Sequence, residues 1–313
     1  MEIHTCLASH VAAFNFTRDD LLRLKQRFPR ITLGIHQNHA DLLEAAGTAE
    51  CILTWEFEKA WYPGFPNLKT ILTPAAGSDW VAADPAGRVR LIHGTFHGPL
   101  LAESLLGAIL FMNRRMPGMI RNFERREWDR NIQKDCRLLA NQTVVIIGLG
   151  RIGGECARLL KSFGATVIGI KRDAQRLPMP LPDVDVRPVA ELETTLPEAD
   201  HVVVILPGGA DTDRILNESR LGMCRQGAFV YNFGRGNAVA SEDLAKVSDH
   251  IGGAFLDVVD QEPLAPDSPL WSLDNLMITP HSSCIYREYR AAFVDQVAAH
   301  LGRWLDRPTQ SGR

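Results

Sequence analysis

The six cysteines of this 313-residue chain, at 6, 51, 136, 156, 224 and 284, include no C-x-x-C pair. Without that spacing there is no zinc or dithiol redox pattern. Reduced, mostly packed thiols in a cytoplasmic protein are expected, and no metal site. No apolar run approaches the ~20 residues of a membrane span, so no membrane partner is expected. The segment MEIHTCLASHVAAFNF lacks the basic stretch that opens a secretory signal. The net charge of −3 gives no general pull toward nucleic acid or anionic lipid. Internal repeats and low-complexity tracts are absent too. What remains, 45% hydrophobic and 23% charged residues, is a globular composition, and the length suffices for two domains.

One stretch organises the chain, NQTVVIIGLGRIGGECARLLKSFGATVIGIKR from Asn141 to Arg172. Thr143 to Ile147 reads as a buried parallel strand, being apolar and mostly β-branched. Glycines 148, 150 and 153 follow as G-x-G-x-x-G. A helix is expected over Gly154 to Phe163, and Thr166 to Ile170 reads as a second strand. Strand, glycine turn, helix and strand are the context that a dinucleotide fingerprint requires. Gly148 allows the tight turn, Gly150 a close backbone approach to a pyrophosphate, and Gly153 close helix–strand packing. The free N–H groups of the helix start then face the phosphates, and Arg151 and Ile152 of the fingerprint join the cofactor contacts.

Residues 1–97 alternate strands (Ile31–Ile35, Cys51–Trp55, Leu68–Thr73) with helices (Asp19–Phe28, Asp41–Ala46) and carry no glycine fingerprint. A smaller α/β domain is expected there. Its loop PAAGSDW, from Pro74, has backbone amides suited to an anion such as a carboxylate, or is an ordinary turn. From Pro99 to about Asn113 a helix carries Leu101, Leu105, Ile109 and Met112 on one stripe, widened by Leu106 and Leu110. Residues 120–135 are charged and contain Trp128, which reads as a solvated face or as a Trp that reaches a neighbouring site or subunit.

Further strands are expected at His201–Leu206, Ala228–Phe233, Gly253–Val258 and Leu276–Thr279, with a helix at Asn217–Cys224. In open α/β sheets ligands bind beyond the carboxyl ends of strands. Arg235, Asp257, Glu262 and His281 stand there. The last helix, Tyr286 to Leu305, bears a packing stripe and crosses back onto the first domain. The expected fold is therefore α/β: a Rossmann-type doubly wound parallel sheet over 99–283, and a smaller discontinuous flavodoxin-like domain over 1–98 and 284–313.

Arg235, Glu262 and His281 suit carbonyl reduction. Histidine supplies a proton near neutral pH, a carboxylate orients it and favours imidazolium, and arginine grips a carboxylate with its planar fork. GLGRIG at 148–153, NFGRG at 232–236, LDVVDQEPL at 256–264 and PHSS at 280–283 occur in that order. Together they resemble the D-isomer-specific 2-hydroxyacid dehydrogenase family, glyoxylate/hydroxypyruvate reductases included. The resemblance runs from about Gly98 to Ser283; before residue 98 only AAGSD at 75–79 matches.

The resemblance implies that Arg235 binds the substrate carboxylate and carbonyl, that His281 donates the proton and that Glu262 is its partner. It implies that Ala76 and Gly77 hold the substrate carboxylate. Leu206, Pro207, Thr212, Phe233, Gly234 and Asp257 match cofactor contacts, and the cofactor set also draws in Arg235 and His281. A homodimer packed through the helix from Leu100 is implied too. Phe233, Gly234, Ser282, Ser283 and Cys284 depart from the usual pattern, which leaves the pocket's shape and the parts of Trp55, Trp80 and Trp128 open. Only 32 residues follow His281, which speaks against the serine-regulated phosphoglycerate dehydrogenases.

The family's usual acid, eighteen positions after the third glycine, is replaced by Lys171, followed by Arg172. An acid there hydrogen-bonds the ribose 2′-OH of NAD, whereas cations pair with a 2′-phosphate. NADP(H) is therefore preferred, with NAD(H) possible and Asp173 able to slip into the acid's role if the strand end is shifted. The expected activity is NADPH-dependent reduction of a small 2-oxo acid. The alternatives are an NAD-dependent D-2-hydroxyacid dehydrogenase and a non-catalytic dinucleotide-sensing, corepressor-like protein.

Overall fold

A computed structural model describes residues 1–45, 47–77 and 79–305. Ala46 and Ser78, which the expected second helix and anion loop contain, lie outside the described residues, as do residues 306–313. In chain order the elements are β1 (Glu2–Cys6), α1 (Arg18–Arg27), β2 (Thr32–His36), α2 (His39–Glu44), β3 (Cys51–Thr54), β4 (Thr70–Leu72) and β5 (Arg90–Ile92). Next come α3 (Gly98–Asn113), α4 (Met116–Arg125), β6 (Thr143–Ile147), α5 (Arg151–Ser162), β7 (Thr166–Lys171), β8 (Asp185–Pro188), α6 (Leu192–Thr195) and β9 (His201–Val204). The chain finishes with α7 (Glu218–Met223), β10 (Phe229–Asn232), α8 (Ser241–Lys246), β11 (Gly253–Leu256), β12 (Leu276–Ile278) and α9 (Tyr289–Leu305).

The chain divides into two compact units, residues Met1–His97 with the chain from Ile285, and Gly98–Cys284. The first holds a five-stranded parallel sheet in the order β2-β1-β3-β4-β5, the flavodoxin-like arrangement. Its helix α1 starts at a capping box: Thr17 Oγ1 accepts from the Asp20 amide, and the Asp20 carboxylate accepts from the Thr17 amide.

The second unit holds seven parallel strands in the order β12-β11-β10-β9-β6-β7-β8. β6 is its hinge, paired with β7 on one side and β9 on the other. The order reverses there, which opens the crevice at the carboxyl ends. Alternate β6 residues enter different cores: Val145 and Ile147 pack in one layer, Val144 and Ile146 in the other, all at most 1% exposed. The second layer contains the α3 stripe, with Leu105 and Ile109 fully buried beside Cys156, Ala157 and Leu160 of α5.

Several expectations need correction. α5 begins at Arg151, not Gly154, because Gly150 already serves as its N-cap. β1, β5 and β8 were not legible: β5 is three residues long, and β8 (DVRP) is a polar edge strand without a periodic face. The charged run after Met116 holds the helix α4.

Candidate active site

β6 ends at Ile147, and the chain turns at Gly148, whose φ is +109°. A Cβ there would lie 2.2 Å from the Ile205 carbonyl oxygen, so glycine is required twice over. A Cβ on Gly153 would lie 2.2 Å from the Gly148 carbonyl oxygen, which is how the helix packs so close to the turn. Gly150 is different. A Cβ there would meet nothing within 4 Å, and no side chain caps the amides of the twelve-residue α5. The third requirement of an anion cradle, open space before bare N–H groups, is thus met at Gly150.

A crevice of about 490 Å³ runs from this turn across the ends of β6, β7 and β9. Among its walls are Gly148, Gly150, Lys171, Arg172, Leu206, Pro207 and Thr212. Thr212 holds its loop by donating from its hydroxyl to the Pro207 and Gly209 carbonyls, at 2.8 and 3.0 Å. Arg172 meets Asp211 across the crevice, Nη1 to Oδ2 at 3.2 Å. Asp173 is not among its walls, and its Oδ1 accepts from the Gln175 amide at 3.2 Å.

Arg235, Glu262 and His281 stand beyond β10, β11 and β12. Fully buried Asn232, the last residue of β10, sets the arginine loop by accepting from the Gly234 amide and donating to the Arg235 carbonyl. Gly236 permits that loop, since a Cβ there would lie 1.8 Å from the Val259 carbonyl oxygen. His281 Nδ1 lies 2.9 Å from Glu262 Oε2, both side chains a little over one-third exposed. Burial pushes the Glu262 carboxyl up, but the hydrogen bond and charge of His281, the Val259 amide and the Arg235 charge outweigh it and hold the group below its ordinary range. The carboxylate thus stays ionised at neutral pH, where it orients the imidazole ring.

His281 has a φ of +50°, uncommon for a residue with a side chain. Asp257 enforces it. The His281 amide donates to the Asp257 carbonyl at 2.8 Å. The 2%-exposed Asp257 carboxylate accepts from the Thr279 hydroxyl at 2.7 Å and the Ser282 and Ser283 amides at 2.8 and 3.1 Å.

A model of the D-isomer specific 2-hydroxyacid dehydrogenase, NAD binding domain, matches residues 106–283. A glyoxylate reductase of Thermofilum pendens is 31% identical over 80% of this chain and 76% of its own length. The chain belongs to the D-isomer specific 2-hydroxyacid dehydrogenase family. Glyoxylate/hydroxypyruvate reductase B of Klebsiella pneumoniae is 31% identical over 79% of each chain. A solved structure of a member of this family from Xanthobacter autotrophicus, titled as a complex with NADPH and MES, is 26% identical with a TM-score of 0.80. It covers 99% of this chain and 96% of that one.

The family model and the glycine cradle agree on a nicotinamide dinucleotide as cofactor. Within this family frame the remaining expected residues divide. Arg151 is exposed in the first turn of α5, and Ile152 packs against the core. Phe233 is 5% exposed and stacks on Phe255 with ring centres 5.6 Å apart, so its side chain is core. Gly234 lies against the Leu206 backbone, where a Cβ would come within 2.6 Å. In the other unit, Ala76 is exposed and Gly77 half-buried beyond β4, and the Gly77 carbonyl lies 3.1 Å from His93 Nδ1. Trp80 is 47% exposed and Trp128 is 90% exposed. Asn232, Gly236 and Asp211 were missed; the first two sit within or beside the NFGRG motif, and only Asp211 had no local signal.

Proposed function

We propose that this chain reduces a small 2-oxo acid, of the glyoxylate or hydroxypyruvate type, to the 2-hydroxy acid, of D configuration where the product is chiral. NADPH is the preferred cofactor and NADH a possible one. The observation that carries the reading is the His281–Glu262 contact at 2.9 Å, in the unit that also bears the glycine cradle. When bound, the nicotinamide supplies the hydride. His281, with Nδ1 engaged by Glu262, keeps Nε2 to hold the proton for the carbonyl oxygen. Arg235 supplies the cation and fork for a carboxylate, and the Ala76 and Gly77 amides are likewise read as carboxylate donors. The names of the relatives from Thermofilum and Klebsiella favour 2-oxo acid reduction. Lys171 and Arg172 favour a 2′-phosphate, as does the NADPH in the Xanthobacter structure.

The residues that line the crevice from Gly148 to Thr212 would hold the dinucleotide, and the homodimer would form through the helix from Leu100 and the exposed apolar residues that follow it. No helix of the described residues is long and apolar enough to cross a membrane, and we place the enzyme in the cytoplasm.

A panel of 2-oxo acids with NADPH or NADH, followed by loss of nicotinamide absorbance, tests the reading. Turnover should demand a carboxylate beside the carbonyl. Equal rates on glyoxylate and on a simple aldehyde would refute it, as would no turnover on any 2-oxo acid.

A further inference from the structure

The end of β7 lacks the acid that would receive a ribose 2′-hydroxyl, yet an acid stands in the same crevice. It comes from a different strand. Asp211 lies in the single 3-10 turn Ala210–Thr212 beyond β9, and its Oδ2 is 3.2 Å from Arg172 Nη1. Both side chains are about four-fifths exposed and both line the crevice with Lys171. The position of Asp211 is not accidental to a floppy loop. Thr212 pins the turn from both its hydroxyl and its amide, and the turn begins at Gly209, whose φ of +145° favours glycine. Lys171, in contrast, makes no ion pair among the described residues.

We propose that Asp211 is a specificity-determining residue that tempers the choice between the two nicotinamide dinucleotides. It offers a 2′-hydroxyl the acceptor that β7 does not supply, and it competes with a 2′-phosphate for Arg172. This rests on the reading of Lys171 and Arg172 as phosphate partners. An exposed ion pair is weak, so a phosphate can displace it, and the penalty is modest. The consequence is a chain that favours NADPH less than its two adjacent cations alone imply, and that retains NADH.

The test is direct titration of NADPH and NADH, read by nicotinamide fluorescence, on wild type, Asp211→Asn, Arg172→Ala and the double variant. Asp211→Asn should tighten NADPH by roughly threefold to tenfold, the range of a weak exposed pair, and leave NADH equal or weaker. The ratio of the two dissociation constants should move at least threefold toward NADPH. A ratio within twofold of wild type overturns the proposal. In the Arg172→Ala background the gain should shrink; an undiminished gain overturns the competition for Arg172. The underlying reading fails separately, if Lys171→Asp with Arg172→Ala binds NADPH as tightly as wild type. Retained NADH binding in each variant reports that the cradle is intact.

Discussion

Oδ1 of buried Asp257 accepts the backbone amide of Ser282 at 2.8 Å, and the Asp257 carbonyl accepts the amide of His281 at 2.8 Å. One residue therefore fixes both sides of the left-handed backbone at His281. Asp257→Asn would replace one acceptor oxygen with an NH2 donor turned toward groups that themselves donate. Hydrogen bonds to a charged group contribute about 1.5–3 kcal/mol each. The variant should unfold at lower urea, by about 2 kcal/mol, and lose kcat more than it raises the KM for cofactor. An unchanged urea midpoint would remove Asp257 from this role.

His281→Ala should lower turnover by at least the ~10²-fold typical of a lost acid–base group, with the dissociation constant for NADPH little altered. The Glu262 carboxyl is depressed, so its pairing is complete above its ordinary value of 4.5 and is lost only as pH falls through the lower folded-state value. At neutral pH it is a full charge beside the imidazole. Glu262→Gln removes that charge and makes imidazolium less favoured, so the rate of reduction should decline at a lower pH than in wild type. A pH–rate profile that superimposes on wild type argues against the pairing.

On the proposed reading, Lys171 and Arg172 carry a preference for the 2′-phosphate. One such charge-assisted contact corresponds to a preference for NADPH of roughly tenfold or more in kcat/KM. Lys171→Asp with Arg172→Ala should reduce or reverse it, and the ranking of 2-oxo acids should stay as it was. Steady-state kinetics with both cofactors decide this. A double variant with wild-type preference would show that the two cations are only solvated.

His201 opens β9 fully buried, with Nδ1 3.0 Å from the Tyr231 hydroxyl and its ring stacked on Phe229. Burial lowers its pKa from 6.5 to about 4. The unfolded chain therefore binds a proton between those values that the folded chain does not. The stability this contributes is complete above pH 6.5 and is lost as pH falls toward about 4, by about 3 kcal/mol in all. Urea midpoints across that range should fall in wild type and fall less in His201→Phe. Parallel curves would show that this histidine does not titrate differently on folding.

Phe123 and Trp128 are 84% and 90% exposed, and Leu138 is 70% exposed. Exposed apolar side chains on α4 and in the segment after it suit the proposed interaction surface. Light scattering should give twice the 34.7 kDa chain mass for wild type. Phe123→Glu with Trp128→Glu should give one chain mass. A wild-type monomer at micromolar concentration would exclude the homodimer.

The sequence by itself determined the hinge of the second unit. β6, the glycine turn and β7 depend on side-chain period and on the sterics of Gly148 and Gly153, and both are written within thirty residues. The missing acid at Lys171 was equally legible, because its place is counted along one strand. Tertiary structure alone decided what faces those cations. Arg172 and Asp211 are 39 residues apart, and they meet because β7 and β9 both flank β6 in the sheet. The same holds for Asp257, whose carboxylate gathers donors 22 to 26 residues later, and for His201, whose lowered pKa comes from burial. Periodicity and glycine sterics act locally, whereas ion pairs and desolvation depend on which strand ends the sheet order brings side by side.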